Sequence, residues 1–358
     1  MVCAPSRMAS SRLAQKGRQR TSRQKPGPPV SRLLLSRRSS PLLLAGLLTV
    51  LAGLFPAEVP AQECPTVSRC ISQLRFGETD TSRERAAGIL GERGDLSAVP
   101  YLAEALKSDS GDFVRLKSAE ALGWMRSPEA VPPLSAALKA DKRERVRETA
   151  AAALGRLKRM EGVAALSEAL AADTDYNVRR ASAASLGLVG DPNSVPALAQ
   201  ALAGDGRAEV REQAALSLGV MKAEPAIQPL IDALTKDTFT QVRRAAARSL
   251  ASFSGEAATK ALAQALMADP ERAVRREIAR TLGLRGDRAG APELVRALQT
   301  DDALEVRQEA AVALGLVGGD LARDALTYYA SQSANPDVRR SAKDALEAIK
   351  PDKPAASR

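Results

Sequence analysis

The sequence predicts an all-α fold, a right-handed solenoid of about nine 32-residue helix pairs. Three observations predict it. Val-Arg recurs at 114–115, 146–147, 178–179, 210–211, 242–243, 274–275, 306–307 and 338–339, always 32 residues apart. Leu follows each Val by eight positions, from Leu122 to Leu346, and Gly follows that Leu in six copies. Only 3% of the residues are aromatic while 45% are hydrophobic. Such a core is built from Ala, Leu and Val and suits close-packed helices better than sheets. One helix pair cannot bury its apolar face alone; stacked neighbours can.

Each unit reads as two helices. The first runs from Asp95 to Leu106, with Val99, Leu102 and Leu106 on one face. Asp95, Ser127 and Asp191 are natural N-caps, and Pro128 and Pro192 then take the first helical position. Pro100 lies near the start, where it is either accommodated in the first turn or bends the helix. The second helix presents Val114, Ser118, Ala121 and Leu122 on one face. Asp109 is expected to cap its start, and Gly123 to end it in a left-handed conformation. A weaker ninth copy comes first: Ser82-Arg83 and Leu90-Gly91 take the Val-Arg and Leu-Gly places. The units therefore run from about 64 to 351. Helix layers about 8–10 Å apart imply a row of roughly 80–90 Å.

The net charge of +10 is concentrated at one end. Residues 1–61 hold ten Lys and Arg and a single acid, Glu58; the remainder is close to neutral. Without that division the charge would suggest nucleic acid. Residues 41–55 (PLLLAGLLTVLAGLF) are apolar and uncharged, follow basic residues, and precede Val59-Pro60-Ala61. This is the pattern of a secretory signal with cleavage after Ala61. An uncleaved membrane anchor is the alternative, although the run is shorter than the roughly 20 residues of a membrane span. The long basic stretch before the apolar run suggests a translation start downstream, at Met8 or near Val30. The expected organisation is an export segment 1–61, a repeat body 62–351 and a disordered tail 352–358. The mature chain is expected in the periplasm or secreted, without a membrane span. In an oxidising compartment Cys64 and Cys70 suggest a disulfide. Cys70 also falls in register with a core Leu, so two small buried thiols are the competing reading.

The chain contains no His, which removes imidazole bases, Ser-His-Asp triads and His-ligated metals. Three Cys cannot form a four-Cys zinc site. No catalytic residue, metal or cofactor is therefore expected.

The segment Asp173 through Leu202 (DTDYNVRRASAASLGLVGDPNSVPALAQAL) resembles the HEAT-like repeats of phycobiliprotein lyases. The resemblance covers about 64–351. It implies the fold strongly and the function weakly, since relatives include bilin lyases, a diiron hydroxylase with His-Glu pairs and interaction proteins. The hydroxylase reading fails here for want of His. The resemblance also implies that Asp109, Asp141, Asp173, Asp205, Asp237, Asp269 and Asp301 form a structural ladder with Arg115, Arg147, Arg179, Arg211, Arg243, Arg275, Arg307 and Arg339. Each Arg would bridge to an Asp of its own or the adjacent repeat, so these carboxylates would be poor acids.

Two other features are candidates for a partner site. Trp124 stands two residues after Leu122, where other copies carry Arg156, Leu188, Val220, Ser252, Leu284 and Leu316. It is either a binding anchor or a filler of a gap beside Met125. Arg244, Arg248, Arg276 and Arg280 share two exposed phases of consecutive second helices. They form either a basic patch on the concave face or a solvated face offset by Asp269, Glu271 and Glu277. Tyr328 and Tyr329 are expected to cap the end of the row. The expected function is an exported scaffold that binds a protein partner on its concave face, without nucleic acid. The competing readings are a lyase-like enzyme or enzyme subunit and a structural envelope spacer.

Overall fold

The computed structural model describes residues 64–349. The export segment with its cleavage point and the 352–358 tail lie outside the described residues. Eighteen α-helices and no strand occur among the described residues, and they form nine consecutive pairs. The first pairs are α1 (Val67–Phe76) with α2 (Asp80–Arg93), α3 (Val99–Ser108) with α4 (Asp112–Met125), and α5 (Val131–Ala140) with α6 (Glu144–Leu157). Next come α7 (Val163–Ala172) with α8 (Tyr176–Val189), α9 (Val195–Gly204) with α10 (Ala208–Met221), and α11 (Ile227–Lys236) with α12 (Thr240–Leu250). The last are α13 (Glu256–Ala268) with α14 (Arg272–Arg285), α15 (Ala291–Thr300) with α16 (Leu304–Val317), and α17 (Asp320–Gln332) with α18 (Pro336–Ala348).

Six first helices begin with a separate 3₁₀ turn. Asp95, Ser127 and Asp191 cap those turns, accepting the N–H of Ser97, Glu129 and Asn193. The α-helix then starts at the Val, and Pro100 falls in its first turn. An N–H there has no intrahelical partner, so its loss does not break the helix. The Val, Leu and Ala-Leu positions of the period are buried in one continuous core. Cys64, just before α1, and Cys70, within it, are joined in a disulfide, and both are buried. Cys70 thus fills the core register of a Leu and carries the cross-link as well.

Two local expectations are corrected. Gly123 does not end α4 but lies inside it; Arg126, with φ 56°, takes the left-handed position. Lys158, Gly190, Lys222 and Gly286 do the same in other copies. The physical role of the glycine after Leu is close approach. A Cβ on Gly123 would lie 2.9 Å from the Ala153 Cα, and one on Gly187 2.7 Å from the Ser217 Cβ. Nor does Asp109 cap α4, whose N-cap is Gly111. Its carboxylate instead accepts the Gly111 N–H at 2.8 Å and closes the turn between helices.

The glycines let second helices press backbone against backbone. In the middle copies a buried hydroxyl reinforces each contact: Ser185, Ser217 and Ser249 donate to the carbonyls of Ala151, Ala183 and Ala215, each at 2.8 Å. First helices stand further apart. A groove of about 910 Å³ separates α3 from α5, lined by Val99, Pro100, Ala103, Pro133 and Ala136. The second helices are thus the more closely packed of the two rows.

The sixth unit departs from the pattern. Ala251 and Thr281 replace the Gly and its small partner, and α12 stops at Leu250. Phe253 turns into the core. Arg285, one repeat further on, donates to the carbonyls of Leu250 (2.7 Å), Phe253 and Gly255 (2.9 Å), and to the Thr259 hydroxyl. Burial pushes the Arg285 guanidinium below the usual arginine range, against the charge of Asp287.

Candidate functional site

The Arg and Asp residues of the period pair across junctions. Arg115 reaches Asp141 through Nε and Oδ2 at 2.7 Å and through Nη2 and Oδ1 at 3.1 Å. The same fork joins Arg147 to Asp173, Arg179 to Asp205, Arg211 to Asp237, Arg243 to Asp269 and Arg275 to Asp301. The Nη1 of each Arg donates to the main-chain carbonyl of the Asp in its own unit; for Arg211 this is Asp205 at 2.8 Å. Arg211 is therefore tied to the carboxylate of Asp237 and not to those of Asp205 or Asp173. One guanidinium thus staples two turns, and one carboxylate takes a guanidinium and the N–H two residues on.

The row begins one step earlier than the Val-Arg signal, with Arg83 on Asp109 at 2.8 Å. This is the weaker copy in which Ser82-Arg83 takes the Val-Arg place. It ends earlier too. Position 333 is Ser, so Arg307 lacks a forked carboxylate and donates to the carbonyl of Asp301, while Arg339, in the last unit, donates to the carbonyl of Ser333. Burial pushes the Asp237 carboxyl up, but the Arg211 fork, the Phe239 N–H and the charges of Arg211 and Arg243 outweigh it, leaving it below the usual range. A carboxylate held so firmly ionised is a poor proton donor.

Three of the four arginines of the sixth and seventh units, Arg244, Arg248 and Arg280, act on one carboxylate, Glu277. Glu277 is 8% exposed. It accepts from Arg248 at 3.2 and 3.0 Å and lies 3.6 Å from Arg244. Arg276 bonds Glu309 at 3.3 Å. Burial raises the Glu277 carboxyl, but the Arg248 bonds and the charges of Arg248, Arg244 and Arg280 hold it below the usual range. Glu277 and Glu309 are thus the acids that offset the patch, whereas Asp269 belongs to Arg243. The charge of Glu212 also acts on Arg248, so four cations face three acids and the patch keeps a net positive charge.

Trp124 does not fill a gap. It is 58% exposed while Met125 beside it is buried. The Arg156 guanidinium lies 4.7 Å from its ring centroid. The same place in other copies carries Leu188, Val220, Leu284 and Leu316, all exposed. Recurrence every 32 residues puts them in one row along the second helices. The apolar row lies one turn beyond Arg280, at Leu284, since steps of four residues keep one helix face, whereas the place beyond Arg248 holds Ser252, past the end of α12. Tyr329 packs against the core, while Tyr328 is exposed and meets it edge-on at 5.2 Å.

No group of three or more His, Cys, Asp or Glu is placed to hold a metal among the described residues. No described helix is long and apolar enough to cross a membrane.

Comparison with known proteins follows the same period. HEAT repeats match residues 68–155, 163–251 and 259–347. The chain belongs to the HEAT repeat family. This HEAT-repeat protein has no match among curated protein sequences. Among solved structures it is similar to the complex of CpcE and CpcF of phycocyanin lyase from Nostoc sp. PCC7120. The identity there is 23% over 83% of this chain and 98% of that one, with a TM-score of 0.36. Human deoxyhypusine hydroxylase is 25% identical over 73% of this chain and 99% of its own, with a TM-score of 0.34. Importin beta is 15% identical over 79% of this chain and 44% of its own, with a TM-score of 0.52. That likeness shows the helical-repeat fold. Such a fold offers an extended surface of the kind HEAT-repeat proteins use to bind other proteins.

Proposed function

We propose that this HEAT-repeat protein is an exported scaffold that binds a protein partner along its concave row of second helices. The exposed apolar row of Trp124, Leu188, Val220, Leu284 and Leu316 carries the reading. The row is broken by Arg156 and Ser252 into Trp124, the pair Leu188 and Val220, and the pair Leu284 and Leu316, and exposed apolar surface bordered by charge is the usual mark of a docking site. Arg244, Arg248, Arg276 and Arg280 border it and favour an acidic stretch of the partner. The apolar segment 41–55 with Val59-Pro60-Ala61 supports export to the periplasm or the medium. The reading gives the protein no reaction of its own, since a chain without His has no imidazole base.

Affinity capture from an envelope extract, with mass spectrometry, tests it. Wild type should retain a saturable partner. A variant with Leu188, Val220 and Leu284 changed to Ser should lose that partner while keeping its helicity. Changing the four arginines to Gln should weaken capture and remove its salt dependence, because the lost attraction is screened over about 8–10 Å. Retention of no saturable partner by wild type would favour a spacer. A coloured covalent product with bilin and an acceptor subunit would favour a lyase. N-terminal sequencing of the exported form should begin near Gln62.

A further inference from the structure

The first two second helices leave a cup of about 460 Å³, lined by Gly88, Gly91, Glu92, Lys117, Glu120 and Trp124 among others. We propose that this cup receives a basic side chain, lysine or arginine, of the protein partner. The proposal rests on the reading of the concave row as the docking face and names what one end of that face recognises.

Three observations carry it. Trp124 is a large exposed aromatic ring with two faces, and Arg156 covers one of them at 4.7 Å. Arg156 is not among the residues lining the cup, so the face turned toward Gly88 is the free one. A ring that already binds one guanidinium offers its other face to a second cation through the same quadrupole. Second, the floor is made of glycine. A Cβ on Gly88 would meet nothing within 4 Å, so a long side chain has room to lie there.

Third, the local charge selects the ligand. Lys117 bonds Glu120 at 2.9 Å, so Glu120 is partly engaged, while Glu92 has no bonded partner among the described contacts. The Glu120 bond, with the charges of Glu120, Glu84 and Glu92, holds Lys117 above the usual lysine range despite some burial. Glu84, Glu92 and Glu120 outnumber Lys117 and Arg156 about the cup, so its rim keeps a net negative charge. An acidic side chain would be repelled, and an apolar one would strip water from carboxylates without replacing it. The cup thus complements the arginine patch near the other end of the row. A partner would carry a basic residue at the first units and acidic ones at the sixth and seventh.

Trp124 is the only tryptophan of the chain, so its emission reports the cup alone. The experiment titrates the full protein with tetralysine, trimethyllysine amide and tetraglutamate at low salt. Tetralysine and trimethyllysine should change the emission saturably, and tetraglutamate should not. Glu92→Gln should weaken tetralysine binding about two- to five-fold, as for an exposed ion pair. Glu92→Gln with Glu120→Gln should abolish the saturable change while far-UV circular dichroism stays the same. A flat titration with both cations, a saturable response to tetraglutamate, or a response that survives in the double variant would overturn the proposal. Loss of partner capture by the Leu188, Val220 and Leu284 variant would still support the docking face in that event, so the two readings fail separately.

Discussion

At the scale of single residues, the ladder shows what an Arg in this period does. Arg211 leaves the side chain of Asp237 only 7% exposed beneath it. Arg211→Ala should therefore strand a carboxylate in a place poor in water. A cost of about 1–3 kcal/mol is expected, read as a lower denaturation midpoint. The effect should depend on pH with a definite sign. The folded carboxyl of Asp237 lies below its ordinary value near 3.9. A depressed pKa contributes stability above the ordinary range, and that stability is lost as pH falls through the folded value. The gap between wild type and variant should thus be full at pH 7 and shrink below about pH 4. A gap that stayed constant down to pH 2 would count against an ionised pair.

At the scale of elements, the glycine after the repeated Leu sets how closely second helices pack. Gly187→Ala should destabilise although alanine is the better helix former. Its Cβ would sit 2.7 Å from the Ser217 Cβ and 3.0 Å from its Cα, where no flexible chain end can yield. Overpacking of this kind costs about 1–3 kcal/mol. Gly88→Ala is the control. It is also inside a helix but meets nothing within 4 Å, so it should stabilise by roughly 0.5–1 kcal/mol. Equal effects from both substitutions in thermal denaturation would show that the register of close approach is unimportant. The junction of the sixth and seventh units depends on a different device. Ala251 and Thr281 cannot approach as Gly and Ser do, and Arg285 holds the loosened segment by its carbonyls. Arg285→Met should raise hydrogen exchange across 250–260 while leaving 186–198 protected. Unchanged exchange at 250–260 would mean that packing of Phe253 alone secures it.

For the repeat body as a whole, contacts join only neighbouring units, so whole units should be removable. Deleting residues 142–173 takes out α6 and α7 and rejoins Asp141 to Thr174 in phase. The carbonyl of Asp141 then faces Arg179, and the ladder continues. The shortened protein should fold, with a denaturant slope reduced roughly in proportion to the surface removed. Deleting 142–157 alone removes one helix, puts the next first helix where a second belongs, and should fail to fold. Circular dichroism and denaturant titration separate the outcomes. Failure of the in-phase deletion would mean that distant units support one another.

How much of this was legible in the residues divides along physical lines. The interval of 32 between Val-Arg pairs determined the helix pairs, their number and the burial of Val114, Leu122 and their equivalents, because apolar spacing fixes which face a helix buries. It also marked the Arg and Asp rows, whose partners lie 26 residues further along the chain. The period could not say which Asp each Arg would reach, since that depends on how one layer sits on the next. Gly123 resembled a helix end because Gly often stops helices. Only the neighbouring α6 backbone shows that its missing side chain serves contact. Arg285 carries no motif at all, and its partners are main-chain carbonyls freed by a helix that ends early. Trp124 and the residues that share its position were visible as a column of the period, but a column has no exposure. Tertiary packing decided that, by burying Met125 and leaving Trp124, Leu188, Val220, Leu284 and Leu316 at the surface. Periodicity is a property of one chain segment at a time, whereas pairing and exposure belong to the distance between segments.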